Sequence, residues 1–130
     1  MWDGINRRKF PRANYKCLIT IKRRLTSKTI STHTENIGAG GICVLIKEDL
    51  GLFQGVDLEI FIDDGDHRPP MKCGGTVVWV VKKSTPKKKV YIYDTGIEFI
   101  DMRAEDRDRI TEVVEEIIKR QRHGVSNKKP

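Results

Sequence analysis

"GTVVWVVKKSTPKKKVYIYDTGIEFI", residues 75–100, holds two strand-like runs on either side of one turn signal. "GTVVWVV" (75–81) and "KVYIYDTGIEFI" (89–100) are rich in valine, isoleucine and aromatic residues, which suit a pleated, half-buried surface. "STPKKK" (84–89) sets a proline and polar residues between them, and its lysines read as a solvated hairpin tip. Gly74, Gly75 and Gly96 fall inside the strand patterns, where glycine marks bulges or tight bends. The stretch predicts an antiparallel hairpin.

Four more runs precede it. "YKCLITIKR" (15–23) alternates, with Cys17, Ile19 and Ile21 facing one way and Lys16, Thr20 and Lys22 the other. "TISTHTEN" (29–36) is rich in β-branched residues, and "GICVLI" (41–46) and "VDLEIFI" (56–62) follow, bounded by "DLGLFQG" and "DDGDHRPP". Six strand candidates with hairpin-length connections predict an all-β fold, a six-stranded antiparallel β-barrel. The last segment changes period. In "DRDRITEVVEEIIKRQR" the residues Ile110, Val113, Val114, Ile117 and Ile118 share one helical face. Acids lead and bases trail, as the helix dipole prefers, and Gly124 is the expected stop. The expected organisation is a flexible basic arm (1–14), a barrel (15–102), a C-terminal helix packed on the barrel (103–123) and a disordered tail (124–130).

A chain of 130 residues is long enough to bury a core as one domain without a disulfide framework. Cys17, Cys43 and Cys73 are far apart and form no CxxC pair, so they read as small apolar core residues. "MWDGINRRKF" lacks the apolar core of a signal peptide, and no run is long enough to span a membrane. A soluble cytoplasmic protein without membrane contact is expected. The formal net charge of +7 is uneven: residues 1–34 hold nine Lys/Arg and one acid. Such an asymmetry points to an anionic partner.

No catalytic constellation is present, and the reading is of a protein that is not an enzyme. His33, His67 and His123 are scattered and read as surface residues; no serine sits in a nucleophile elbow. "IDDGD" (62–66) begins like a calcium loop but lacks a closing glutamate, and a hydrated turn is expected there. Neither metal nor cofactor is called for.

Two stretches carry binding chemistry. "NRRKFPRANY" puts Arg7, Arg8, Lys9 and Arg12 just before the first strand-like run, with Pro11 stiffening the segment. Planar guanidiniums grip phosphates bidentately and match the O6/N7 edge of guanine. "NIGAGG" (36–41) lies between two strands and opens no helix, so it is neither a dinucleotide fingerprint nor a P-loop. Gly38, Gly40 and Gly41 allow close approach of backbone N–H groups and positive φ, and Asn36 brings a donor and an acceptor. A tight barrel turn is the competing reading of this loop. Arm and loop together make a workable purine-nucleotide site.

RxxxR before the first strand, here Arg8 to Arg12, and a [D/N]xSxxG-like loop, here Asn36 to Gly41, resemble the signature of PilZ domains. The resemblance runs from about residue 5 to residue 122. It implies a bacterial receptor for the second messenger cyclic di-GMP, a ligand rather than a cofactor. The arginines of the arm would hold phosphates and guanines, and Asn36 with the loop would meet a guanine from the barrel side. Arg7, directly before RxxxR, implies binding of the nucleotide as an intercalated pair. Gly38 departs from the family's serine; the missing hydroxyl implies a loss of roughly 0.5–1.5 kcal/mol, which serine at 38 would recover unless a positive φ there strained the added Cβ. The expected receptor orders its arm, residues near 5–14, on binding and signals to a separate, unidentified effector protein. One alternative is a degenerate adaptor acting through protein contacts alone. The other is a small-barrel RNA or single-stranded DNA binder, disfavoured because most aromatics sit in core-like strand phases.

Overall fold

The computed structural model describes residues 11–62 and 68–127, with side chains to residue 122. Seven strands and one helix follow in order: β1 (Arg12–Ala13), β2 (Leu18–Arg23), β3 (Thr29–Gly38), β4 (Gly41–Ile46), β5 (Gly55–Phe61), β6 (Met71–Ser84), β7 (Tyr91–Ile100) and α1 (Ala104–Asn127). The six long strands close a ring in the order β3–β2–β5–β6–β7–β4 and back to β3. Every pairing is antiparallel. This is the barrel expected from the sequence, with β1 as an extra strand.

Alternation fixes which side of each strand is inside. Ile19 and Ile21 of β2, Ile37 of β3, Ile42 and Val44 of β4 and Ile97 of β7 are fully or almost fully buried. Their sequence neighbours therefore point outward, and Asn36, Cys43 and Gly96 share one outer row through the pairs Asn36–Cys43 and Cys43–Gly96. β6 continues that row with Trp79 opposite Gly96. A register shift between Val77 and Trp79 puts them there. Strict alternation from buried Val77 would send Trp79 inward; the bulge turns it out, and it is 37% exposed. The expectation of core-like aromatics fails at this residue for that reason, and it fails also at Phe53 and Tyr91, which are exposed.

β1 comes from the segment expected to be wholly arm. β2 pairs with β3 only over Thr29–His33, and β1 pairs with Ile37 and Gly38 further along β3. Ala13 is buried in the core, so this part of the segment belongs to the barrel. Thr34, also fully buried, secures the link between β1 and β2. Its Oγ1 donates to the Tyr15 carbonyl (2.6 Å) and accepts from the Cys17 amide (3.1 Å).

The helix forms for the expected reason. Ile110 and Val114 are fully buried, while Val113, Ile117 and Ile118 pack at the edge of the core. Glu105 and Asp106 occupy the first turn, favourable at the positive end of the dipole. The helix runs past Gly124 to Asn127, so Gly124 is not the expected stop. Glycine costs about 1 kcal/mol relative to alanine inside a helix, which does not by itself end one. Arg109 is buried beside Ile110, and its guanidinium donates to the carbonyls of Pro69 (3.1 Å) and Ile62 (3.2 Å). No helix among the described residues is long and apolar enough to cross a membrane.

Candidate functional site

The structure brings Arg12 and Asn36 together, 24 residues apart in sequence. β1 lies along β3 with Arg12 opposite Gly38 and Ala13 opposite Ile37. Arg12 Nε donates to Asn36 Oδ1 at 2.8 Å, and Arg12 Nη2 donates to the same oxygen. The carboxamide oxygen thus faces the guanidinium, leaving the NH2 as the donor end of Asn36. Both side chains are half-buried. Arg7 and Arg8 lie outside the described residues, as do the expected turn over residues 63–66, His67 and the side chain of His123.

The glycine loop is a two-residue turn, Ala39–Gly40, closing the β3–β4 hairpin between paired Gly38 and Gly41. None of its glycines has positive φ; among the described glycines only Gly51 does. Glycine is required here for space. A Cβ on Gly38 would lie 2.7 Å from the Pro11 carbonyl oxygen and 2.9 Å from Arg12 Cγ. A Cβ on Gly41 would collide with the Ile97 carbonyl of β7. The Gly40 carbonyl accepts from the Phe99 amide at 2.9 Å, which ties the turn to β7. The loop is thus a tight turn, with Gly41 structural and Asn36 reaching Arg12.

The outer row beyond Asn36 supplies groups the sequence reading did not single out. Cys43 Sγ donates to Asp94 Oδ1 at 3.0 Å, Trp79 Nε1 approaches the same oxygen at 3.4 Å, and Lys83 Nζ stands 3.2 Å from the other. Burial, followed by the hydrogen bond to Asp94 and its charge, pushes the Cys43 thiol up to about 12. It is an unreactive thiol near neutral pH. Burial also raises the Asp94 carboxyl, but the bonds from Cys43, Lys83 and Trp79 outweigh it and hold the group below its ordinary value. Cys17 fits the core expectation. Cys43 departs from it: buried, but on the outer side of β4 against a carboxylate.

Chemically, this is one outer face with a guanidinium fork and a carboxamide at one end and an exposed indole plane toward the other. Groups of these kinds are able to bind a planar heterocycle bearing phosphate. A shallow cleft of about 340 Å³ lies elsewhere, over Tyr15, Leu18, His33, Phe61 and Arg68, and includes neither Arg12 nor Asn36. Among the described residues no cluster of His, Cys, Asp and Glu is placed to hold a metal ion.

The family model of the PilZ domain matches residues 6–116. Among solved structures, the Bacillus subtilis inhibitor of motility MotI/DgrA superposes with a TM-score of 0.68 at 23% identity, over 95% of this chain and 53% of that one. The PilZ domain of Escherichia coli YcgR with c-di-GMP gives 0.68 at 9% identity, over 92% of this chain and 98% of that one. The K. pneumonia MrkH–c-di-GMP complex gives 0.67 at 14%, over 90% and 55%. The chain thus spans about half the length of the MotI and MrkH chains. At these identities the likeness shows the fold. No curated protein matches the sequence.

Proposed function

The chain belongs to the PilZ domain family, and on that premise we propose that it is a cyclic di-GMP receptor whose site joins the N-terminal arm to the β3–β4 loop. The observation that carries this reading is the meeting of Arg12 with Asn36 at the base of the arm. Arg12 belongs to RxxxR and Asn36 to the loop motif, and the fold makes them direct partners. Arg8 and Arg7 would add guanidiniums from the upstream arm, Arg7 favouring an intercalated pair of nucleotides. The Asn36 NH2 would donate to a guanine acceptor, and the Trp79 indole offers a stacking plane on the same face. Gly40 would let the nucleotide approach the backbone closely, while Gly41 keeps the turn shut.

The receptor would work without catalysis, changing the arm and signalling to an effector protein. Its free cysteines suit a reducing compartment such as the bacterial cytoplasm. The test is titration calorimetry with cyclic di-GMP, cyclic di-AMP, GTP and a single-stranded oligonucleotide at one salt concentration. Cyclic di-GMP should bind in preference, because arginine forks match guanine O6/N7 whereas adenine presents an amine donor there. Equal binding of cyclic di-AMP would remove guanine readout. No binding at all would leave the adaptor that acts by protein contacts.

A further inference from the structure

Gly38 stands where the PilZ signature has serine, and what surrounds it is the arm itself. A Cβ there would come within 2.7 Å of the Pro11 carbonyl oxygen, 2.9 Å of Arg12 Cγ and 3.6 Å of Arg12 Cα. Separations below about 3 Å are not tolerated by real side chains, and the nearest atom is backbone, which cannot swing aside as a flexible side chain would. The backbone at Gly38 is not left-handed, so its conformation does not demand glycine. The demand is for room.

We propose that Gly38 is a positioning residue for the arm: lacking a side chain, it lets Pro11–Ala13 lie directly on β3 and sets Arg12 against Asn36 through contacts made within the chain alone. This deepens the nucleotide-site reading in its consequence for binding, but the docking itself does not depend on that reading.

Three features show why a side chain at 38 would be felt by the arm and not absorbed elsewhere. Gly38 is buried, and on its other edge it pairs with Gly41, whose own approach to the Ile97 carbonyl leaves no slack toward β7. Downstream of β1 the chain is anchored, with Ala13 in the core and the Tyr15 carbonyl bonded to Thr34. The weak member is β1, which among the described residues pairs with β3 over Arg12 and Ala13 alone. Relief therefore comes by lifting Pro11 and Arg12 from β3, which breaks the two bonds from Arg12 to Asn36. Replacing Gly38 by serine would then not simply restore a missing hydroxyl. It would displace the arginine that the site uses, and any bond gained would be offset by the ordering of a freed arm on binding.

The experiment is hydrogen–deuterium exchange on the full chain without nucleotide, for wild type, Gly38→Ala and Gly38→Ser. Amides of residues 12–14 should be protected in wild type. They should exchange about tenfold faster in both variants, the factor expected for losing one modest hydrogen-bonded pairing. Peptides of β2, β6 and β7 should be unchanged, and trypsin should cut the Arg12–Ala13 bond faster in both variants. The proposal is overturned if the wild-type segment exchanges like an unstructured peptide, or if Gly38→Ala leaves it equally protected. It also falls if β2 and β7 lose protection along with residues 12–14, since the alanine would then be acting on the barrel. Because nucleotide is absent, a failure of the receptor reading leaves this result intact. Titrating the same variants with cyclic di-GMP reads the consequence: Gly38→Ser should bind no more tightly than wild type, and a tenfold tightening would refute the positioning role.

Discussion

Strand β1 and helix α1 both settle against β3, and different forces hold them there. Helix α1 lies against β1 and β3, so the C-terminal and N-terminal segments are neighbours. The C-terminal end is fastened by apolar burial, with Ile110 and Val114 completely enclosed, and by the buried Arg109 on two carbonyls. Each buried aliphatic side chain of that size is worth roughly 1.5–3 kcal/mol. At the N-terminal side of the described residues Ala13 is buried, a two-residue strand pairs with β3, and Arg12 bonds to Asn36. One end is built into the core, and the other is held mainly by polar contacts that a charged ligand can compete for. Segments with few buried apolar contacts open at lower free energy than the core, and β1 is such a segment.

The strongest way to break that contrast is at Arg109. Arg109→Ala should destabilise the protein by about 2–4 kcal/mol, since it removes a packed side chain and leaves two carbonyls without their donor. Urea unfolding followed by circular dichroism measures it, and a loss under about 0.5 kcal/mol would be that of an ordinary surface residue. Arg12→Ala probes the other end. Cyclic di-GMP binding should weaken by about 1.5–3 kcal/mol, the value of hydrogen bonds to a charged group, whereas the unfolding free energy should shift by less than about 1 kcal/mol. A large fall in stability would show that the arm belongs to the core like the helix.

Thr34→Val sharpens the boundary between the two regimes. The swap nearly conserves shape but leaves the Tyr15 carbonyl and Cys17 amide without their partner, at a cost of about 1–2 kcal/mol. Exchange at residues 15–17 should rise in this variant while α1 is unaffected. The smallest effect concerns Asp94. Its carboxyl is held below the ordinary value of 3.8, so its contribution is present above that pH and is lost as pH falls through the depressed value. The stability difference between wild type and Asp94→Asn should therefore be flat from neutral pH down to about pH 4 and shrink below it. A difference that instead changed between pH 5 and pH 8 would point to another group.

The barrel and helix were legible because alternation and the 3.6-residue period are local signals, and Ile19, Ile21, Ile110 and Val114 obey them. β1 was not, since two residues after a proline in a basic segment carry no period; only the edge of β3 beyond His33 defines it. Arg109 reads as a solvent-facing charge until the fold supplies the Ile62 and Pro69 carbonyls. Trp79 was hidden by the bulge at Val77, which one sequence does not announce. Within the site, the residue types of Arg12 and Asn36 were readable as binding chemistry. The reason for glycine at 38 was not, because the atoms that exclude a side chain come from the arm.

The central claim is that arm and loop form one nucleotide site, and a double-mutant cycle on cyclic di-GMP affinity tests it most directly. Wild type, Arg12→Ala, Asn36→Ala and the double variant are titrated by calorimetry under the same salt, since phosphate contacts are screened by it. Each single change should weaken binding, and the double variant should fall short of their sum by about 0.5 kcal/mol or more, as expected for residues in direct contact. Strict additivity, or an Asn36→Ala variant that binds as well as wild type, would contradict the account and leave the loop as a turn beside an arm that binds alone.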